Sequence, residues 1–170
     1  VLNKGRLFPW QKDYSKAEAV SWKMGEAGKD VAAGLFLIDW QDGKDIVGPL
    51  EGAYARRTGR EKKIYYLEFD VDDSFASLGD NELEITAVAR RLDANQPAGT
   101  GCNIIYESNK GYRHINDWWT IPPEPGRHKH TFHIKDANFA NCWGWNFCIS
   151  VVASPGDICV RDVTVRKLRQ

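Results

Sequence analysis

The stretch Ile64-Tyr65-Tyr66-Leu67-Glu68-Phe69-Asp70-Val71-Asp72-Asp73 decides the fold. Tyr65, Leu67, Phe69 and Val71 share one parity; Tyr66, Glu68, Asp70 and Asp72 share the other. Side chains alternate across a strand, so the first set can enter a core while the second stays near water. Aromatic and β-branched residues suit a pleated, half-buried surface. Asp72, Asp73 and Ser74 are turn formers and close the strand.

The same design recurs on both sides. Glu82 to Leu92 sets Leu83, Ile85, Ala87 and Ala89 against Glu84, Thr86, Val88 and Arg90. Ala17 to Met24, Gly52 to Thr58, Cys102 to Ser108, Tyr112 to Ile115, His128 to Ile134, Phe147 to Ala153 and Ile158 to Leu168 also read as strands. Val31 to Trp40 is apolar through Leu35-Phe36-Leu37-Ile38 and is expected to be a strand covered on both faces, ending at the turn signal Asp42-Gly43. Val1 to Lys16 lacks a period and reads as an arm packed on the domain. Asp45 to Glu51 reads as a loop around Gly48-Pro49, and Lys135 to Ala140 as a short helical turn. No amphipathic helix longer than two turns is predicted. Many short strands with turns every eight to twelve residues or so imply an all-β antiparallel sandwich or jelly roll.

The 170 residues are expected to form a single domain, 1–170, and a monomer. Basic and acidic residues balance at 23 each, which argues against nucleic acid, since phosphate binding needs a basic face. No apolar run is long enough to span a membrane. The first residues mix Lys4 and Arg6 with Pro9 and Trp10 and have no apolar leader, so a start at Val1 reads as a mature or excised fragment. The four cysteines, Cys102, Cys142, Cys148 and Cys159, contain no Cys-x-x-Cys pair. Two disulfides in any of three connectivities and four buried thiols both remain open.

Aromatic side chains mark the candidate site. Trp118 and Trp119 lie in Asn116-Asp117-Trp118-Trp119, and Trp143 and Trp145 lie in Asn141-Cys142-Trp143-Gly144-Trp145-Asn146. Flat rings on loops can stack on the C–H-rich faces of sugars at small entropic cost. In extended chain Trp143 and Trp145 point the same way, whereas Trp118 and Trp119 point oppositely. Tyr106 and Tyr112 lie nearby in sequence, and Arg113, His114, Asn116, Asp117, Asn141 and Asn146 could bond vicinal hydroxyls or a uronate carboxylate. The competing reading makes Trp119 and Trp145 core plugs and the polar residues ordinary turn formers. Tyr112, Arg113 and His114 also have the chemistry of a lyase base beside a uronate-neutralising cation. His128 and His130 share one strand face and could serve a metal with a third His or a carboxylate such as His114, whereas His133 has the wrong parity.

The pattern Tyr66-x-x-Phe69-x-Val71-Asp72-Asp73-x-Phe75, then Leu83-x-Ile85-Thr86-Ala87, resembles accessory β-sandwich domains of bacterial glycoside hydrolases and polysaccharide-degrading enzymes. The resemblance continues through Ile105-Tyr106-Glu107-Ser108, His130 to Asn141, Phe147-x-Ile149-Ser150 and Ile158 to Val165, spanning roughly Asp30 to Leu168. It implies a galactose-binding-like, non-catalytic carbohydrate-binding module, secreted by a bacterium as part of a larger enzyme and bound to a polysaccharide or oligosaccharide. The two Trp-rich loops carry more aromatics than the generic pattern. Such modules often hold a structural calcium, and Asp70, Asp72 and Asp73 offer hard oxygen ligands for Ca²⁺. The alternatives are a small jelly-roll polysaccharide lyase or hydrolase, and a structural accessory domain packed on a catalytic one.

Overall fold

Gly34 divides the first apolar run and sends its two halves to different layers. Its φ is +76°, and a Cβ there would lie 2.6 Å from Val20 Cγ1, so only glycine fits the crossing. The computed structural model describes residues 11–38, 46–50 and 53–168. Their strands are β1 (Ala19–Met24), β2 (Asp30–Ala33), β3 (Leu35–Leu37), β4 (Ile46–Leu50), β5 (Ala53–Arg57), β6 (Tyr66–Val71), β7 (Asn81–Arg91), β8 (Gly101–Ser108), β9 (Gly111–His114), β10 (Trp119–Thr120), β11 (His128–Ala137), β12 (Phe147–Ser150) and β13 (Ile158–Lys167).

One layer runs β2-β1-β13-β7-β11, with β5 beside β13 and β4 beside β5. The other runs β8-β12-β6-β3, with β9 and β10 beside β8. All strand pairs are antiparallel, and the Ala137–Ser108 pairing links the layers. The inner parity of each strand fills the space between them. Trp22 of β1 meets Phe69 of β6 edge-on at 5.6 Å, and Phe69 stacks on Phe147 of β12 at 5.2 Å. Leu83 and Ile85 of β7 and Phe132 and Ile134 of β11 are sealed in the same core. Each such side chain contributes about 1.5–3 kcal/mol by leaving water. The chain is therefore an antiparallel β-sandwich, and the parity read from Tyr65 to Val71 decides which residues enter it.

Four expectations change. Asp45 to Glu51 is not simply a loop, because Ile46–Leu50 pairs with β5. The run from Val31 is not covered on both faces: Val31 and Phe36 are 45% and 42% exposed. In β2, Asp30, Val31 and Ala32 are all exposed, whereas in β3 Leu35 is buried and Phe36 exposed. Lys135 to Ala137 extends β11 through a bulge rather than starting a helical turn, because Asn81 and Ser108 supply strand partners there. The strand from Phe147 ends at Ser150, where Val151 to Ser154 turns on a backbone bond. All four cysteines are free thiols; Cys102, Cys148 and Cys159 are buried and Cys142 is exposed. The Asp42-Gly43 turn, Trp10 and Trp40 lie outside the described residues, as does most of the predicted arm; Tyr14, within it, packs on the core.

Candidate functional site

The outer face of the β8-β12-β6-β3 layer carries the second parity of its strands. Tyr66, Glu68 and Asp70 come from β6, Asn103, Ile105 and Glu107 from β8, and Tyr112 and His114 from β9. Register sets His114 beside Ile105, Ile105 beside Cys148, and Cys148 beside Glu68. Phe36 faces outward opposite Asp70.

The loop between β11 and β12 folds over one end of this face. Glu107 is 2% exposed, yet its carboxylate is satisfied by backbone. The Asn141 N–H donates to Oε2 at 2.7 Å and the Cys142 N–H to Oε1 at 2.9 Å. The Asn138 and Asn146 backbones bond Glu107's own C=O and N–H, so both ends of the loop are tied to one residue. Asn146 is fully buried, and its Oδ1 accepts the Val71 N–H at 2.7 Å. Asn141 takes φ +60°, which Asn tolerates better than most residues, and Gly144 takes φ +80°. The Gly144 N–H returns to the Asn141 carbonyl at 3.1 Å, closing a turn with Trp143 at its tip.

Trp143 is consequently 64% exposed. Its indole stacks on Tyr112 with centroids 4.0 Å apart and planes 11° apart. Trp145 leans on the same phenol at 4.3 Å. The Tyr112 hydroxyl donates to the Trp145 carbonyl at 2.7 Å and accepts the Trp143 N–H at 3.1 Å. Burial is the main reason its pKa is pushed up to about 12. One face of Trp143 is thus held by Tyr112, on a loop locked from below. Asn141 Nδ2 also donates to Asp70 Oδ1 at 3.1 Å. Burial, then Asp73 and Asp72, raise the Asp70 pKa to about 6.

No protein-family model matches the sequence, and no curated protein matches it. Among solved structures, the xylan-binding CBM22-1 domain of Paenibacillus barcinonensis Xyn10C superposes with a TM-score of 0.55 at 12% identity, over 88% of this chain and 94% of that one. A non-crystalline-cellulose-specific CBM28 carbohydrate-binding module overlaps 88% of this chain and 85% of its own at 12% identity, with a TM-score of 0.35. The chain shares the β-sandwich fold of the Paenibacillus domain.

On this fold the sequence candidates divide. Tyr112, Trp143 and Trp145 come together on the outer face. Trp119 does not join them: it is 7% exposed, stacked on His130 at 5.4 Å, where it closes the open side of the sandwich. Asp117 is occupied by His130 Nε2 at 2.9 Å. Trp118 is 37% exposed, and Asn116 is exposed next to it. Arg113 points away from Tyr112, because neighbours alternate on β9; its guanidinium pairs with Asp136 at 2.7 Å. His128 bonds the Glu124 carbonyl rather than sharing a ligand with His130.

Among the described residues no group of three His, Cys, Asp or Glu side chains could hold a metal ion. In the acidic turn, Asp72 Oδ1 accepts from the Ser74 amide and hydroxyl, and Asp70 Oδ1 accepts from Asn141 Nδ2. Glu107 was not singled out in sequence as a site residue. Its one signal is an acid at a position flanked by buried neighbours in β8. A depression of about 670 Å³ lies elsewhere, lined by Ala17, Glu18, Glu82, Arg166 and Lys167 and by no aromatic side chain.

Proposed function

We propose that this chain is a non-catalytic carbohydrate-binding module that holds a linked polysaccharide-degrading enzyme on its substrate. The observation that carries the reading is the Trp143 indole, exposed at a turn tip while its back rests on Tyr112. A solvent-facing ring with a rigid backing offers a flat apolar surface at little entropic cost. The loop that displays it is fastened by the buried Glu107 carboxylate, which accepts the Asn141 and Cys142 N–H groups. The Paenibacillus domain of similar fold binds xylan, which supports a polysaccharide as the class of ligand. Secretion and a monomeric state belong to the same proposal.

The lyase alternative loses its parts. A catalytic Tyr112 would need a free hydroxyl of lowered pKa; this one is bonded on both sides and raised to about 12. Arg113, the partner cation, lies on the opposite side of the strand with Asp136.

Affinity electrophoresis through gels containing xylan, mixed-linkage β-glucan or galactomannan tests the reading. Wild-type protein is expected to be retarded by at least one of them, and Trp143→Ala to lose most of that retardation while its thermal transition stays within about 0.5 kcal/mol of wild type. Retardation that survives in a folded Trp143→Ala protein refutes this platform. Release of reducing ends or of unsaturated uronates from the same polysaccharides would establish the enzyme reading instead.

A further inference from the structure

We infer that the Trp143 platform is one end of a groove along β8 and β9 whose other end is Trp118, so that the module grips a linear glycan through two rings at once. The inference rests on the platform reading above and deepens it. It makes the ligand a chain several sugars long rather than a single terminal sugar.

The direction of Trp118 follows from its neighbours. Asp117 bonds His130 Nε2 at 2.9 Å, and Trp119 stacks on the same imidazole. Residues 117 and 119 therefore turn towards β11, and Trp118 between them turns away. Trp119 pairs with Cys102 of β8, which is sealed in the core. The opposite side at that position is the outer face of the β8 layer, and there Trp118 is 37% exposed. The next residue of β8 is Asn103. Cys102 and Ile104 on either side of it are fully buried, so its own side chain points outward with Trp118.

Register gives the length of the groove. Tyr112, the backing of Trp143, pairs with Glu107. From Glu107 back to Asn103, beside Trp118, β8 covers roughly 13 Å. That span exceeds one pyranose ring, so the two indoles reach different sugars of one chain. Between them lie Ile105 and, paired with it on β9, His114. His114 is exposed and Asn103 half-buried, and neither side chain bonds a described residue. Nearby polar side chains are already engaged: Arg113 holds Asp136, Asp117 holds His130 and Glu107 holds the loop. Two unengaged hydrogen-bonding groups between two exposed indoles match the hydroxyls and C–H faces that a glycan chain presents along its length. A single terminal sugar on Trp143 would leave Trp118 and Asn103 unused.

The experiment takes whichever of xylan, mixed-linkage β-glucan and galactomannan retards the wild-type protein and prepares size-fractionated oligosaccharides from it, from the monosaccharide to the hexasaccharide. Titration calorimetry then measures their binding to wild type, Trp143→Ala, Trp118→Ala, Trp118→Phe and Asn103→Ala, each first checked for its thermal transition. Wild-type affinity is expected to climb with length until the chain covers both rings. Trp118→Ala is expected to lose ~10-fold on the long oligosaccharides and nothing on the shortest one that binds. Trp118→Phe should recover part of that loss, and Asn103→Ala should cost several-fold on the long ligands alone. Trp143→Ala should lose binding at every length. Affinity already complete for a disaccharide overturns the groove and leaves the platform standing. So do folded Trp118→Ala and Asn103→Ala proteins that bind the hexasaccharide as wild type does while Trp143→Ala does not. Should Trp118→Ala fail to fold, the length series and Asn103→Ala decide between the same outcomes. Retention that ignores Trp143, or no retention by any of the polymers, overturns both.

Discussion

Asn116–Trp119 and Asn141–Asn146 look alike on paper: a few residues rich in Trp and Asn between strands. They end in opposite surroundings. In the first, Trp119 pairs with Cys102 of β8, and the following backbone runs so close to Gly101 that a side chain there would strike the Trp119 carbonyl. Its indole is pressed onto His130, which in turn meets Phe132 edge-on at 4.6 Å and binds Asp117. In the second, the backbone is fastened to Glu107 and the ring at the tip is left outside. What separates them is where the backbone finds partners. A tryptophan that follows a strand partner is drawn into the interlayer space, whereas one at the tip of a turn anchored from below is pushed into water.

That contrast breaks most visibly at Trp119. Trp119→Ala removes a buried indole from the open side of the sandwich and is expected to cost ~3 kcal/mol or more, lowering Tm by roughly 6–12 °C. Retention on polysaccharide per folded molecule should persist. Trp143→Ala should show the reverse, and a thermal scan of both proteins checks the pair. Equal destabilisation by the two changes would erase the distinction.

The anchor comes next. Glu107→Ala leaves the Asn141 and Cys142 amides without their acceptor beneath the loop, an expected loss of about 2–4 kcal/mol. Retention should fall with it, because the turn that presents Trp143 loses its floor. Glu107→Gln keeps one accepting oxygen and should fall between. Amide exchange at 141 and 142 is the direct readout, and unchanged protection in Glu107→Ala would dismiss the anchor.

Much of this was legible in the chain and some was not. The alternation of Tyr65 to Val71 and of Leu83 to Ala89 states which side chains are inner, because a half-buried strand has no other way to satisfy both faces. The opposite senses of Trp118 and Trp119 follow from the same rule. The split at Gly34 was hidden, since a run of apolar residues reads the same whether it stays in one layer or crosses between two. The pairing of Arg113 with Asp136 and the burial of Glu107 join residues 23 and 34 positions apart, and no local pattern announces such contacts.

A smaller effect concerns Asp70, whose side chain helps hold Asn141. Its pKa is raised from 3.8 to about 6, by burial first and by Asp73 and Asp72 next. The folded state thus binds more protons than the unfolded chain between those values, so this group makes stability fall as pH rises from about 4 through 6. Discounted for partial exposure, the loss is about 1–2 kcal/mol. Asp70→Asn should flatten that part of the stability profile measured by denaturant titration at pH 4, 5, 6 and 7. A wild-type profile that rises over this interval relative to Asp70→Asn would reverse the sign and contradict the crowding of acids.

The mildest change sharpens the comparison most, because it alters the platform without removing a ring. Tyr112→Phe keeps the phenyl face under Trp143 and deletes only the hydroxyl between the Trp143 N–H and the Trp145 carbonyl. Each of those groups can turn to water, so the cost in stability should be about 1 kcal/mol. Affinity should drop more than that figure alone suggests. With the hydroxyl gone, only the 4.0 Å stack on Tyr112 and the edge contact with Trp145 at 5.8 Å are left to set the angle of the Trp143 indole among its described ring contacts, and a ring that rocks must be ordered again each time a sugar lands. Indole fluorescence anisotropy reports the rocking, and retardation reports its consequence. If Tyr112→Phe retards as wild type does while anisotropy falls, display of the ring is enough and its rigidity is not part of recognition.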